Sequence, residues 1–233
     1  MHGITETRRH YVANSYNELW TPHKSSQRQH LVDTISDHFK TDCGKKRFLT
    51  LPGAWWHFER LLNKDRFLRK WWPHITACEN IRPIFDAAVL KMPICNKAIK
   101  SKWNQELDCH VITNGKTIVF FHCDVGSLLE YLPLSFDVIW LDFCQPVSVK
   151  IMKIMEDAIT LLNPNGLLCV NLLQAREDLE TLRLIDRRAN GDRLRFITQF
   201  CEERLDGQSH QLWRVRYNDG VPMAQWTFLK QML

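Results

Sequence analysis

From about residue 47 onward, short runs of β-branched and aromatic residues alternate with stretches of helical periodicity, and this alternation restricts the fold more than any other feature. Residues 48–51, 75–78, 117–122, 136–141 and 167–172 each read as a buried strand. Helical patterns over 54–62, 81–90, 127–131, 147–162 and 175–188 separate or follow them, with Pro83 tolerated in a first turn. In the 147–162 helix the inward positions are Val149, Met152, Ile154, Met155 and Ile159. Strands joined through helices lie parallel, so the pattern predicts an α/β fold: a Rossmann-like, doubly wound, mostly parallel sheet with helices on both faces. Two places break the alternation. Asn114-Gly115 is a hairpin turn that sets an inserted antiparallel strand, 109–113, beside 117–122. Asn218-Asp219-Gly220 joins 210–217 to 225–229 and predicts a C-terminal antiparallel hairpin. Asn163-Pro164-Asn165-Gly166 and Asn190-Gly191 stop the helices that precede them. Ahead of the alternating part, residues 1–46 form a helical extension to the domain at 47–233. Ser26 caps its helix, Leu31, Ile35 and Phe39 make its apolar stripe, and it ends near Cys43-Gly44.

At 233 residues there is room for one α/β domain with an elaborated end. No apolar run approaches the roughly 18 residues of a membrane span, and the first twenty residues hold no signal core. The eight cysteines stand singly, without a CxxC, which predicts a reducing compartment, cytoplasmic or nuclear. Cys109-His110 and His122-Cys123 flank the Asn114-Gly115 turn, but strand alternation sends neighbours to opposite faces and zinc spacings are missing; no metal site is expected. The net charge of +5 is mild, with basic segments at 8–10, 45–47, 64–70, 97–102 and 183–195. These suit contact with RNA or DNA phosphates, and equally well a set of solvated helix faces.

Open parallel sheets bind ligands beyond the carboxyl ends of their strands. There the chain carries Leu51-Pro52-Gly53, then Glu79-Asn80, then Asp124-Val125, then Asp142-Phe143-Cys144. A single acid in such a place is as well explained by capping the next helix. Three at successive strand ends favour a nucleoside-binding edge. His57 and Glu59, just inside the first helix after that loop, face either the same edge or solvent and receive no role.

In this order the residues resemble the class I S-adenosylmethionine-dependent methyltransferases, whose seven-stranded sheet ends in an antiparallel hairpin. The resemblance implies S-adenosylmethionine as cofactor. It puts Leu51, Pro52 and Gly53 at the methionine part, Glu79 with Asn80 at the ribose, Asp124 and Val125 beside the adenine, and Asp142 facing the reactive methyl group. Asn163-Pro164-Asn165-Gly166 resembles the turn before the family's fifth strand. The first motif of that family is acid-x-Gly-x-Gly-x-Gly; here the acid is absent, Gly53 is the only glycine, and Trp55 and Trp56 are expected to crowd the loop. Enzymes that methylate amino groups of bases carry D/N-P-P-Y/F after the fourth strand. The prolines are missing here, although Asp142 and Phe143 retain the means to grip and stack a base. Cys144-Gln145 echoes the Pro-Cys-Gln of cytosine-C5 enzymes, but a buried structural cysteine accounts for it better. Transfer to nucleic acid is the activity implied first. A protein or small-molecule acceptor, and a non-catalytic scaffold with the same fold, stand as alternatives.

Overall fold

Five parallel strands form the centre of the sheet, and the chain reaches them in two directions from its first strand. In a computed structural model of the protein, the described residues are 22–42, 44–53, 56–68, 74–92, 99–114, 118–174, 177–205, 209–218 and 222–231. The strands are β1 (Arg47–Thr50), β2 (His74–Cys78), β3 (Ile99–Asn104), β4 (Cys109–Asn114), β5 (Ile118–Phe121), β6 (Phe136–Pro146), β7 (Leu162–Leu173), β8 (Ser209–Asn218) and β9 (Pro222–Lys230). Their order across the sheet is β3-β4-β5-β2-β1-β6-β7-β9-β8. From β1 the chain winds outward through β2 to β5, then returns to β6 on the other side of β1 and winds out through β7. The order therefore reverses between β1 and β6, where an open α/β sheet leaves a crevice at its carboxyl edge.

The helices are α1 (Pro22–Phe39), α2 (His57–Lys64), α3 (Arg82–Lys91), α4 (Val125–Tyr131), α5 (Val149–Thr160), α6 (Leu179–Ala189) and α7 (Arg193–Arg204). Residues of α1, α2 and α3 share one buried cluster with Phe48, Val138, Trp140 and Cys169 on one face of the sheet. Residues of α4 to α7 share the other with Leu49, Leu141, Val170, Trp226 and Phe228. The α1 stripe is Leu31, Val32, Ile35 and Phe39, all buried. His38 of α1 contacts the Asn165 carbonyl at 2.8 Å, so its C-terminal end lies at the amino edge of the sheet. No helix among the described residues is long and apolar enough to cross a membrane.

The parallel centre, the inserted strand and the C-terminal hairpin all form where the sequence puts them, and the differences are local. The first helix after β1 begins at His57, not at residue 54, because Trp56 takes a left-handed conformation (φ 53°) that no helix can include. Ser26 lies inside α1 and does not cap it. Val149 is 44% exposed, while Met152, Ile154, Met155 and Ile159 are buried as expected. The sheet gains β3, antiparallel to β4, and the chain gains α7, capped by Asp192, whose Oδ1 accepts from the Leu194 and Arg195 backbone N–H groups. The α6 stop is as read: Asn190 (φ 51°) and Gly191 (φ 77°) both turn left-handed. Asp142, Phe143 and Cys144 are part of β6, which runs on to Pro146, where a loop after residue 141 was expected.

Candidate functional site

At the point of reversal, Thr50 ends β1 and Asp142 stands on the neighbouring strand β6, both on the face covered by α1 and α2. Alternation along the strands dictates this face. Trp140 packs in the α1–α3 cluster and Leu141 in the opposite one, so Asp142 returns to the side of Trp140. The same count puts Asn171 beside it on β7 and Gln225 beyond that on β9, since Asp142 pairs with Asn171 and Asn171 with Gln225.

Asp142 is held on both oxygens. The Asn171 side-chain amide donates to its Oδ1 at 2.5 Å, and the Arg28 guanidinium of α1 lies 3.8 Å from its Oδ2. The Tyr217 hydroxyl donates in turn to Asn171 Oδ1 at 2.9 Å. A chain of polar groups thus runs from α1 through β6 and β7 to the edge strand β8. At its far end a cavity of about 550 Å³ is lined by Tyr217, Gln174, Arg193 and Arg216 among others. Arg193 pairs with the buried Glu177 at 2.8 Å. The Asp192 carboxyl at the cavity wall is held below its ordinary value first by the Arg195 backbone N–H, with Arg216 and Arg214 adding to it. The cavity lining thus brings Arg193 and Arg216 together with Asp192, and each arginine has a carboxylate beside it.

Glu59 is the other acid here, and it is completely buried. Burial raises its carboxyl to about 7, against the lowering influence of the Thr50 hydroxyl, its own backbone N–H and Arg28, and with a further push upward from Asp142. Neither of its oxygens has a hydrogen-bond partner of good geometry among the described residues, and neither does the buried Thr50 hydroxyl beside it. His57, two residues earlier, is driven down to about 4 by burial and then by Arg28, so it stays neutral at physiological pH.

The remaining predicted positions are distributed as follows. Leu51, Pro52 and Gly53 form the half-exposed loop after β1, with Gly53 at φ +57° and, its chain neighbours aside, no described residue within 4 Å of where a Cβ would stand. Glu79 follows β2; its Oε1 accepts from the Ile81 backbone N–H at 2.8 Å, burial raises its pKa, and Asn80 beside it is exposed. Asp124 caps α4 through Gly126 N–H (2.9 Å) and meets Lys150 Nζ at 3.1 Å, while Val125 is buried at the start of that helix. Phe143 points to the opposite face from Asp142 and is packed in the α4–α7 core, so it is not presented to the crevice. The backbone of Cys144 belongs to β6; its side chain lies outside the described residues. Trp56 does not crowd the loop. It is fully buried, its indole N–H donates to the Ala88 carbonyl at 2.8 Å, and its ring packs edge-on against Phe120. Trp55, by contrast, is outside the described residues. Among those described, no cluster of His, Cys, Asp or Glu could hold a metal ion.

No protein-family model and no curated protein matches the chain by sequence. Solved structures do match by shape. Trm1 from Pyrococcus horikoshii in complex with S-adenosyl-L-methionine superposes with a TM-score of 0.61 at 15% identity, over 91% of this chain and 56% of that one. The plantazolicin methyltransferase BamL, in complex with a substrate analogue and S-adenosylhomocysteine, gives 0.56 at 10% identity, over 93% and 90%. The N-methyltransferase NodS from Bradyrhizobium japonicum gives 0.52 at 12%, over 89% and 96%. The fold is that of the class I methyltransferases. Within that fold, β3 and β4 widen the sheet beyond β5, and α1 covers the face that holds Asp142.

Four polar residues at or leading from the switch point of this methyltransferase fold went without a role in the sequence reading: Arg28, Glu59, Asn171 and, on the edge strand, Tyr217. Asn171 had a signal, being the one polar residue inside the apolar run from Leu167 to Leu173. Arg28 had another, because it continues the Leu31–Ile35–Phe39 stripe one turn toward the helix start. Glu59, between Phe58 and Leu62, shares the inward side of a short amphipathic helix.

Proposed function

We propose that the chain is an S-adenosylmethionine-dependent methyltransferase acting on nucleic acid. The observation that carries this reading is the connected row Asp142–Asn171–Tyr217, which joins the switch-point crevice to a cavity lined in part by Arg193 and Arg216. The cofactor side would be the left-handed Gly53 loop with Leu51 and Pro52, then Glu79 and Asn80 for the ribose and Asp124 and Val125 for the adenine. When bound, the cofactor supplies a methyl group carried on a sulfonium sulfur. Asp142 accepts a hydrogen bond from the attacking nitrogen of the acceptor, aims its lone pair, and offsets the positive charge that grows on it. Asn171 and Tyr217 fix the carboxylate for that task. Such a sparse apparatus is sufficient, because methyl transfer to nitrogen depends mainly on alignment. NodS is described as an N-methyltransferase, in keeping with a nitrogen acceptor. The cavity of about 550 Å³ at the far end of the row has the size of a small-ligand pocket, and Arg193 and Arg216 in its lining suit the phosphates that flank an acceptor base.

Arg28 against Asp142 favours a second reading, since a guanidinium standing at the acceptor's position suits a non-catalytic binding module. Calorimetry with S-adenosylmethionine and S-adenosylhomocysteine, together with transfer of a labelled methyl group to RNA, DNA and protein pools, separates the two. An enzyme binds with micromolar affinity, about −8 kcal/mol, and labels RNA or DNA. Asp142→Ala then keeps binding and loses transfer by about 100-fold or more. Folded protein that binds neither ligand at millimolar concentration rules out the enzyme.

A further inference from the structure

We infer that Glu59, on the helix after the first loop, supplies the carboxylate that the end of β1 lacks, and that Glu59 and Arg28 together receive the zwitterionic amino-acid end of S-adenosylmethionine, an assignment that rests on the cofactor reading above. β1 ends on Thr50, without an acid, and no acid lies in the described part of the loop that follows. The missing charge stands one element later. Glu59 occupies the first turn of α2 and is turned inward onto Thr50.

Its surroundings are those of a site rather than of a core. A fully buried carboxyl whose two oxygens lack a well-aligned partner among the described residues is an unfavourable group for a fold to contain. A buried hydroxyl with the same deficit lies beside it on β1. The charged groups that face Glu59 come from each element packed around it: Arg28 from α1 and Asp142 from β6, with neutral Thr50 from β1. Asp142 is engaged by Asn171, which leaves Glu59 as the carboxylate with open acceptor positions.

An α-amino acid presents an ammonium and a carboxylate on adjacent atoms, and burying both requires one anion and one cation in the same chamber. Glu59 accepts from the ammonium, and the planar Arg28 fork suits the carboxylate. In this arrangement Arg28 turns from Asp142 to the ligand, which frees Asp142 for the acceptor.

The test is calorimetry on the full chain with two probes, S-adenosylhomocysteine and 5′-methylthioadenosine, the second lacking the amino-acid end. The wild type is expected to prefer S-adenosylhomocysteine. Glu59→Gln, which keeps shape and removes charge, should weaken that ligand by about 10- to 100-fold and leave methylthioadenosine unchanged. The double variant Thr50→Asp/Glu59→Ala, which moves the acid back to the strand, should recover most of the loss. Affinity of the wild type for S-adenosylhomocysteine should also rise between pH 6 and 8 as Glu59 ionises, a trend Glu59→Gln should lack. If the wild type binds S-adenosylhomocysteine and folded Glu59→Gln binds both probes equally well, the assignment to Glu59 is overturned while the cofactor reading stands. If the wild type binds neither probe, the cofactor reading fails and takes this assignment with it.

Discussion

One sheet presents two very different surfaces to its helices. Toward α4–α7 the central strands turn Leu49, Leu141, Val170, Leu172, Trp226 and Phe228. Toward α1–α3 the same strands turn Thr50, Asp142, Asn171, Gln225 and Thr227, and all but Asp142 are deeply buried. The Thr50 and Thr227 hydroxyls and the Gln225 amide nitrogen lack a well-aligned hydrogen-bond partner among the described residues. The first face is finished by packing, apart from the Trp226 indole N–H, which is buried without a hydrogen-bond partner among the described residues. On the second, polar groups are kept from water without being fully paired, which costs stability and is tolerated where a site must be ready for a ligand.

Substitutions should therefore behave oppositely on the two sides. Phe228→Ala, on the apolar face, should cost about 3–5 kcal/mol, read as a drop in the midpoint of chemical unfolding. A cost below 1 kcal/mol would mean that this face is loosely packed. Glu59→Gln should do the reverse at neutral to alkaline pH. Its carboxyl is raised from 4.5 to about 7 in the folded chain, so the native state binds the proton more tightly than the unfolded state. Stability from this group is complete below pH 4.5 and is lost as pH rises toward 7. Replacement by the neutral amide should thus stabilise at pH 8 by on the order of 3 kcal/mol and change little at pH 4.5. An equal difference between variant and wild type at both pH values would contradict the buried, unpaired carboxyl. The smallest effect belongs to Tyr217→Phe, which removes one neutral hydrogen bond to Asn171 and should cost about 1 kcal/mol. Cofactor affinity should be unaltered, and transfer should fall because Asp142 is less firmly held.

The apolar face was the legible one. Period-two runs and turn pairs such as Asn114-Gly115 announce themselves locally, and they carried the parallel centre and both antiparallel additions. β3 escaped because an edge strand has little apolar face to display; Lys100, Ser101, Lys102 and Trp103 are all exposed, and the segment reads as merely basic. α7 was hidden in the same way, its Leu194, Ile197 and Cys201 stripe lying among the arginines of a charge-rich stretch. At the site, the strand-end acids could be found from position alone. What each of them touches could not, since Asp142 meets residues 29 positions ahead of it and over a hundred behind. Glu59 reads as an ordinary helix-start acid until tertiary packing closes around it.

Trp56 has a consequence for how a ligand would be received. Loops rich in glycine are floppy in the free protein and lose that freedom upon binding. Here the far end of the loop is nailed to α3 and β5 by an indole that is fully buried and hydrogen-bonded to Ala88. The configurational entropy of that end is surrendered once, when the chain folds, and not again at each encounter. Under the proposed cofactor reading, binding at this loop should accordingly carry a small entropic penalty.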